Sequence, residues 1–155
     1  MSKNIYFILF FLMYSILHAQ KSTSYQNTEI YEVETIKKGP FTYYQLEVQT
    51  EAGILGELFL NRKKLFKFDG SISQLSSNEA QKSIKKGTNK ITLKIKSVDQ
   101  DVKKGYFTGC TTRITLHGTN ERIFASKETE IIRIEWNPEP SKKEQIITYV
   151  FDLDK

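Results

Sequence analysis

Apolar and polar residues alternate with a period of two along most of this chain from Glu29 onward. The clearest case is Lys90–Lys96, in which Ile91, Leu93 and Ile95 share one face and the polar residues share the other. Successive side chains of a β-strand point to opposite faces, so the pattern predicts a strand with one face on a core. Noisier forms of the pattern predict eight further strands, at Ile30–Ile36, Thr42–Thr50, Ile54–Leu60, Leu65–Phe68, Thr111–His117, Arg122–Ala125, Glu130–Trp136 and Gln145–Leu153.

Turn-forming residues separate these segments. Two lysines and a glycine precede a strand three times, as Lys37-Lys38-Gly39, Lys85-Lys86-Gly87 and Lys103-Lys104-Gly105. Glycine accepts the positive φ that a turn into a strand often needs, so the repeat is interpreted as turn chemistry rather than a binding motif. Pro138 and Pro140 interrupt any strand ladder and predict a surface loop before the last strand.

Two connections have a more specific pattern. Gly118-Thr119-Asn120 joins two strand-like segments and predicts a short hairpin loop. Ser76–Ile84 is not strand-like, and we expect a loop with a single helical turn there, capped by Ser77 or Asn78. Many short strands with few helices predict an all-β fold, a single antiparallel β-sandwich of eight to nine strands.

The first 19 residues have the features of a secretory signal peptide. Lys3 precedes an almost unbroken apolar run at Ile5–Leu17, and Leu17-His18-Ala19 places a small residue before Gln20. An uncleaved membrane anchor is the alternative, but a spanning helix needs about 20 apolar residues and this run is shorter. We therefore expect cleavage, a periplasmic or secreted product, and no membrane insertion afterwards. Residues 20–27 are predicted to be a flexible segment and 28–155 the β-sandwich domain.

A resemblance to known modules comes from one short segment. Ile84–Ile95 has the pattern apolar-x-x-Gly-x-Asn-x-apolar-x-apolar-x-apolar, which includes Gly87, Asn89 and Ile91. It resembles the start of a strand in galactose-binding-like jelly-roll and immunoglobulin-like accessory modules of secreted proteins. The resemblance implies a sandwich of one of these two types, and it brings no functional residue with it.

Charge and composition exclude some partners. The chain has 23 Lys and Arg, 18 Asp and Glu and a formal net charge of +5. Cleavage of the signal peptide removes the positive charge of Lys3. The remaining lysines are dispersed between acids, which indicates a solvated surface rather than a nucleic-acid-binding face. We therefore predict no nucleic-acid partner.

The residues that usually carry catalysis are scarce. Cys110 is the only cysteine, so no disulfide can form within the chain, and it is expected to be a buried core residue. His117 is expected to face solvent, on the polar face of its strand with Arg113 and Thr115. Cys110 and His117 would face opposite sides of a continuous strand, which argues against a Cys-His dyad. No catalytic residue, metal site or cofactor is predicted.

Carboxylates leave one catalytic alternative open. Glu128, Glu130 and Glu135, or Asp99 and Asp101, supply acids that a small hydrolase could pair across a sugar. A loop Ca²⁺ site at Asp99–Asp101 lacks the six or more oxygen ligands that such a site needs. Exposed turn acids are therefore the favoured interpretation of Asp99 and Asp101, and any β-rich protein with 18 acids contains glutamate pairs of this kind.

Aromatic residues are the candidate ligand-binding residues, namely Tyr43, Tyr106 and Trp136. With Tyr44 facing the core, Tyr43 points outward, and an exposed ring with a polar group suits glycan stacking or a protein interface. The favoured interpretation is that Trp136 and most other rings fill the core.

These features together predict an exported, non-catalytic β-sandwich binding protein of the bacterial cell envelope. Its partner is expected to be an envelope protein or a glycan. Three alternatives stay open, namely a periplasmic immunity or inhibitor protein, a carbohydrate-binding module and a small carboxylate-dependent hydrolase.

Overall fold

The computed structural model describes residues 27–99, 111–140, 142 and 144–153. Within these residues the chain is mostly β, with nine strands and two 3₁₀ helices. The helices are Asn78–Lys82 and Lys127–Thr129. The strands are β1 (Asn27–Glu32), β2 (Tyr43–Thr50), β3 (Ile54–Leu60), β4 (Lys63–Asp69), β5 (Ser73–Ser77), β6 (Gly87–Val98), β7 (Thr112–Thr119), β8 (Glu130–Trp136) and β9 (Gln145–Leu153).

The strands form two sheets. One has five strands in the order β1-β9-β6-β3-β4, and the other has four in the order β5-β2-β7-β8. The prediction of a purely antiparallel arrangement is wrong at β1, which pairs with β9 in parallel. All other strand pairs in the described residues are antiparallel. Short turns impose antiparallel pairing on neighbouring strands, but almost the whole domain separates β1 from β9, so no turn restricts their direction.

The two sheets share one hydrophobic core, and it follows the predicted alternation. Ile91, Leu93 and Ile95 of β6 are fully buried, and β6 lies between β9 and β3. On the four-stranded sheet, Leu46 of β2 and Leu116 of β7 are equally buried. Both sets belong to one cluster of contacting apolar side chains. The opposite face of the four-stranded sheet is therefore its outer face.

The structure differs from the sequence prediction around residues 119–130. Arg122–Ala125 was predicted as a strand, but it is an irregular segment, and the predicted hairpin at Gly118–Asn120 is also absent there. β7 instead continues to Thr119 and pairs with β8, which begins at Glu130. The period-two pattern of these few residues arises without strand pairing. The segment between the strands is consequently free to lie against the sheet.

The predicted turn chemistry is confirmed in part. Gly87 has a φ of +80°, as expected before β6, whereas Gly39 is not among the positive-φ glycines and precedes a cis peptide bond to Pro40. The helical turn is where it was expected, at Asn78–Lys82, and the Ser77 hydroxyl accepts a hydrogen bond from the Glu79 N–H at 3.1 Å.

Several predictions concern residues outside the described ranges. These are the signal peptide, the flexible segment up to residue 26, Tyr106, Cys110, Asp101 and the turn at Gly105. None of the described helices is long and apolar enough to cross a bilayer.

Candidate functional site

Polar side chains lie in rows across the outer face of the four-stranded sheet. In one row, Thr115 of β7 has Glu47 of β2 and Arg133 of β8 as its Cα partners. In the next row, His117 pairs with Gln45 and, across a register shift that follows Leu116, with Glu130. Alternation sends residues of opposite parity into the core, so both rows point away from it.

The segment 120–129 lies against this outer face. At its start the Thr42 N–H donates to the Asn120 side-chain oxygen at 3.1 Å. Further along, the Arg122 guanidinium carbon lies 5.6 Å from the centre of the Tyr43 ring, within the range of a cation–π contact. We call the cleft between the sheet and this segment the outer groove.

The outer groove contains two adjoining cavities, and His117 lines both. The larger has a volume of about 740 Å³ and the smaller about 220 Å³. Besides His117, the larger is lined by residues that include Tyr43, Gln45, Gln81, Arg122 and Phe124. The lining of the smaller includes Glu47, Thr115, Ser126, Glu130 and Arg133.

His117 is buried, and the prediction that it faces solvent is wrong. It shares the outer face with Arg113 and Thr115, as the alternation predicted, but only 4% of its surface is exposed. Its Nδ1 atom lies 2.9 Å from the Thr129 hydroxyl, which belongs to the segment that covers the face. The alternation identified the face correctly, but it carries no information about a segment that folds over that face.

The glutamates proposed for a hydrolase each have a different ion-pair or hydrogen-bond partner. Glu130 is buried and forms an ion pair with Arg133 in the smaller cavity. Glu135 pairs with Arg113 at 3.2 Å. Glu128 accepts a hydrogen bond from the Ser126 hydroxyl at 2.7 Å, and this bond lowers the pKa of its carboxyl group.

A fixed negative charge lies at the edge of the larger cavity. Glu79 lines this cavity and receives hydrogen bonds from the Lys63 and Lys82 ammonium groups at 2.6 Å and 2.8 Å. These two bonds favour the charged form and lower the pKa of Glu79 to about 2. Glu79 is therefore a carboxylate throughout the physiological range.

The structure separates the aromatic candidates. Tyr43 points outward as predicted, with 37% of its surface exposed, and lines the larger cavity. Trp136 is 7% exposed and belongs to the core, in agreement with the favoured interpretation. The two pair with opposite ends of β7, at Thr119 and Thr112, and point to opposite faces, so they form no common platform. Tyr106 lies outside the described residues.

Sequence reasoning missed the buried position of His117. One signal was available, because Ser126 and Thr129 stand three positions apart before the apolar residues of β8, a spacing typical of a helix start. It indicates a turn there, as the 3₁₀ helix at Lys127–Thr129 shows. The contact between Thr129 and His117 has no local sequence signal, because it depends on the path of the whole segment.

Within the described ranges, no three His, Cys, Asp or Glu side chains are grouped so as to hold a metal ion. Comparisons with protein-family models, with curated proteins and with solved structures find no match for this chain. The outer groove is therefore interpreted from its own geometry and chemistry.

Proposed function

We propose that this chain is an exported, non-catalytic binding protein of the bacterial cell envelope, and that it binds a glycan in the outer groove. The observation that carries the proposal is the larger cavity, where a half-exposed tyrosine stands beside polar side chains. Its volume of about 740 Å³ lies in the range of typical ligand sites. We also infer that the two sheets form a β-sandwich, since both contribute side chains to one core.

The composition of the cavity favours a glycan. The Tyr43 ring supplies an apolar face on which a sugar ring can stack, and its hydroxyl adds a polar group. Gln45 and Arg122 supply amide and guanidinium groups that donate hydrogen bonds to sugar hydroxyls. Polar groups of this kind give a small-molecule site its orientation and specificity.

A glycan array tests the proposal. The protein applied to the array is the full chain, processed by its producing cell and purified from it. We expect retention on one class of glycan and loss of at least about tenfold in affinity for Tyr43→Ala, because stacking is removed. Tyr31→Ala is the matched control, since Tyr31 is an exposed tyrosine on β1 of the other sheet. Equal retention by all three proteins, each shown to be folded by circular dichroism, would refute the assignment of this groove.

Export is tested separately, by the intact mass of the protein recovered from the periplasm or medium. We expect a chain that starts at Gln20, because Leu17-His18-Ala19 precedes it as a cleavage site. Recovery of the uncut chain in the cytoplasmic fraction would contradict the export proposal and leave the groove chemistry unaffected.

A protein partner is the second candidate, and one feature favours it. Phe124 is 96% exposed at the edge of the groove, next to the exposed Ile123. Exposed apolar side chains of this size are typical of interface residues, as in an immunity or inhibitor protein. Two results together would favour this function. The first is one stoichiometric envelope partner whose binding is lost with Phe124→Ser and kept with the remote Ile72→Ser. The second is a glycan array on which the protein binds nothing.

A further inference from the structure

A groove follows the edge of β8, away from the outer groove. β8 is the outermost strand of the four-stranded sheet on this side, and β1 is the outermost strand of the five-stranded sheet. Side chains of both strands line a groove of about 390 Å³ between them. Near one end of β8 the Ile36 N–H donates to the Ile131 carbonyl oxygen at 2.7 Å, where the chain that follows β1 reaches the other sheet. We call this cleft the edge groove.

The backbone of β8 presents hydrogen-bonding groups to the edge groove. The Ile131 carbonyl oxygen points away from β7, since it accepts from Ile36. Successive residues of a strand direct their backbone groups to opposite edges, so those of Arg133 and Glu135 also point away from β7. Within the described ranges, β8 has no strand partner other than β7. Arg133 and Glu135 therefore offer two N–H and two carbonyl groups on the open edge.

The pairing of the neighbouring strands gives the same result. The Tyr44 N–H donates to the Gln81 side chain and so points away from β7, which directs the backbone groups of Glu47, three residues on, towards β7. Their partner Thr115 then points its own groups towards β2 and away from β8. Arg133, the Cα partner of Thr115 on β8, consequently has its groups on the open edge.

The edge of β8 also differs from the far edge of the five-stranded sheet. There β4 carries three exposed lysines, Lys63, Lys64 and Lys67. Lysines on an edge strand are a common device against pairing with another chain. β8 has the sequence EIIRIEW, which contains no lysine. Its edge therefore combines open backbone groups with a surface that permits strand addition.

The charges around the edge groove favour a cationic partner. Its acidic and basic lining residues are four glutamates and one arginine, in a chain whose net charge is +5. Lys142, Arg113 and Glu130 form ion pairs with members of this set. With these three included, five acids still stand against three bases. The edge groove is thus a locally acidic region of a basic protein.

An aromatic ring gives an inward side chain of the partner a place to pack. Residues directly opposite each other on neighbouring strands share a face, so a partner residue opposite Ile134 points towards the side that Tyr31 lines. Tyr31 is 47% exposed, and its hydroxyl donates to Glu29 at 2.7 Å. A lysine or arginine there can lay its methylene stem and its charge against the ring, close to the Glu29 carboxylate.

We infer that the edge groove binds an extended, positively charged segment of a partner protein, which adds as a further strand beside β8. In this mode of recognition the main-chain hydrogen bonds provide affinity, and alternate side chains provide specificity. The inference goes beyond the proposed glycan function and does not rest on it. The larger cavity of the outer groove shares no lining residue with the edge groove.

The experiment is backbone amide hydrogen exchange, followed by NMR in the full chain as its producing cell processes it. The probe is a short capped peptide of alternating lysine and valine residues. One control peptide has glutamate in place of lysine, and another is the lysine peptide with every backbone nitrogen methylated. We expect the lysine peptide to slow exchange at Arg133 and Glu135 at least about tenfold, because their N–H groups become paired. The two control peptides should leave both rates within about twofold.

Glu32→Lys tests the charge selection, since Glu32 is exposed and lines the edge groove. We expect its affinity for the lysine peptide, measured by chemical-shift titration, to fall about fivefold. Glu121→Lys is the matched control, because it changes the net charge equally but lines the outer groove. Its affinity should stay within about twofold of the parent value. Equal affinity of all three proteins, each folded by circular dichroism, would overturn the assigned role of the groove charges.

The outcomes are distinguishable from those of the glycan experiment. Slower exchange at Arg133 and Glu135 with the lysine peptide alone supports the inference, whatever the array shows. Equal effects of the lysine and glutamate peptides, or no effect of either, overturn it and leave the glycan function standing. Slow exchange at both amides before any peptide is added would show that the edge is already paired, by this chain or by a second copy, and would also overturn it.

Discussion

At the scale of single residues, Asn89 shows how one buried side chain organises a turn. It is fully buried at the start of β6, where its amide group donates to the Lys85 and Gly87 carbonyl oxygens. Its carbonyl oxygen accepts from the Lys85 N–H at 3.0 Å and from the Asn61 amide at 2.6 Å. The Gly-x-Asn pattern seen in the sequence thus closes the turn before the strand and ties it to the β3–β4 connection.

Asn89→Ala is expected to destabilise the fold by about 3 kcal/mol, because it leaves buried donors and acceptors unpaired. Urea denaturation followed by circular dichroism measures the change. The neighbouring Thr88→Ala is the control, since Thr88 is exposed on the same strand and should cost less than about 0.5 kcal/mol. Equal midpoints for the two variants would show that the network contributes little.

Glu79 provides a prediction about pH. Two lysines lower its pKa to about 2, so its ion pairs persist at neutral pH and are lost only as the pH falls through that value. NMR titration of the Glu79 carboxyl carbon should give a midpoint near 2. Lys63→Met should raise this midpoint towards the ordinary value of 4.5, although not fully, because Lys82 remains. A midpoint near 4.5 in the parent protein would contradict the ion-pair geometry.

At the scale of elements, Gly56 allows β3 and β6 to approach each other. It lies where the register of this pair shifts, and a Cβ atom there would be 2.5 Å from the Lys94 carbonyl oxygen. The contact is with backbone, which cannot move aside as a flexible side chain can. The pairing of β3 with the central strand β6 therefore depends on the absence of a side chain at this position.

Gly56→Ala is expected to cost about 2 kcal/mol through this overlap, despite the small size of the added methyl group. Thermal unfolding measures it, with the half-exposed Leu55→Ala on the same strand as control. Leu55→Ala should change stability by less than about 1 kcal/mol. If Gly56→Ala proved as stable as the parent, the strands would have to separate at the register shift at no cost.

How far the sequence predicts these elements depends on what each pattern encodes. Alternation records which face of a strand is buried, and it placed β2, β3, β6, β8 and β9 with their core residues. It missed β5, because SQLSS has one apolar residue and becomes a strand only through its pairing with β2. It also gave Arg122–Ala125 as a strand, because a pattern of four residues cannot show whether a pairing partner exists. The burial of His117 could not be predicted for the same reason, since the segment that covers His117 reaches it through a tertiary contact.

At the scale of the whole molecule, the first and last described strands, β1 and β9, pair with each other. β1 pairs with β9 from Asn27↔Gln145 to Glu32↔Val150. Directly after β1, the Val33 N–H donates a hydrogen bond of 2.8 Å to the Val150 carbonyl oxygen. Tyr31 stacks on Tyr149 with ring centres 5.6 Å apart. Lys142 donates to Glu29 at 2.8 Å, which lowers the pKa of the Glu29 carboxyl group. β1 therefore covers an edge of β9 that would otherwise be open.

Removal of β1 tests this role, by comparing a chain that starts at Glu34 with one that starts at Asn27. We expect the shorter chain to melt about 5–15 °C lower, since it loses a strand ladder and the Tyr31 contact. It should also associate at high concentration, because an uncovered strand edge is a template for pairing with another chain. Differential scanning calorimetry and light scattering measure the two effects. Equal melting temperatures would mean that β1 adds no stability, and a lower melting temperature without association would mean that β9 is protected by its own side chains.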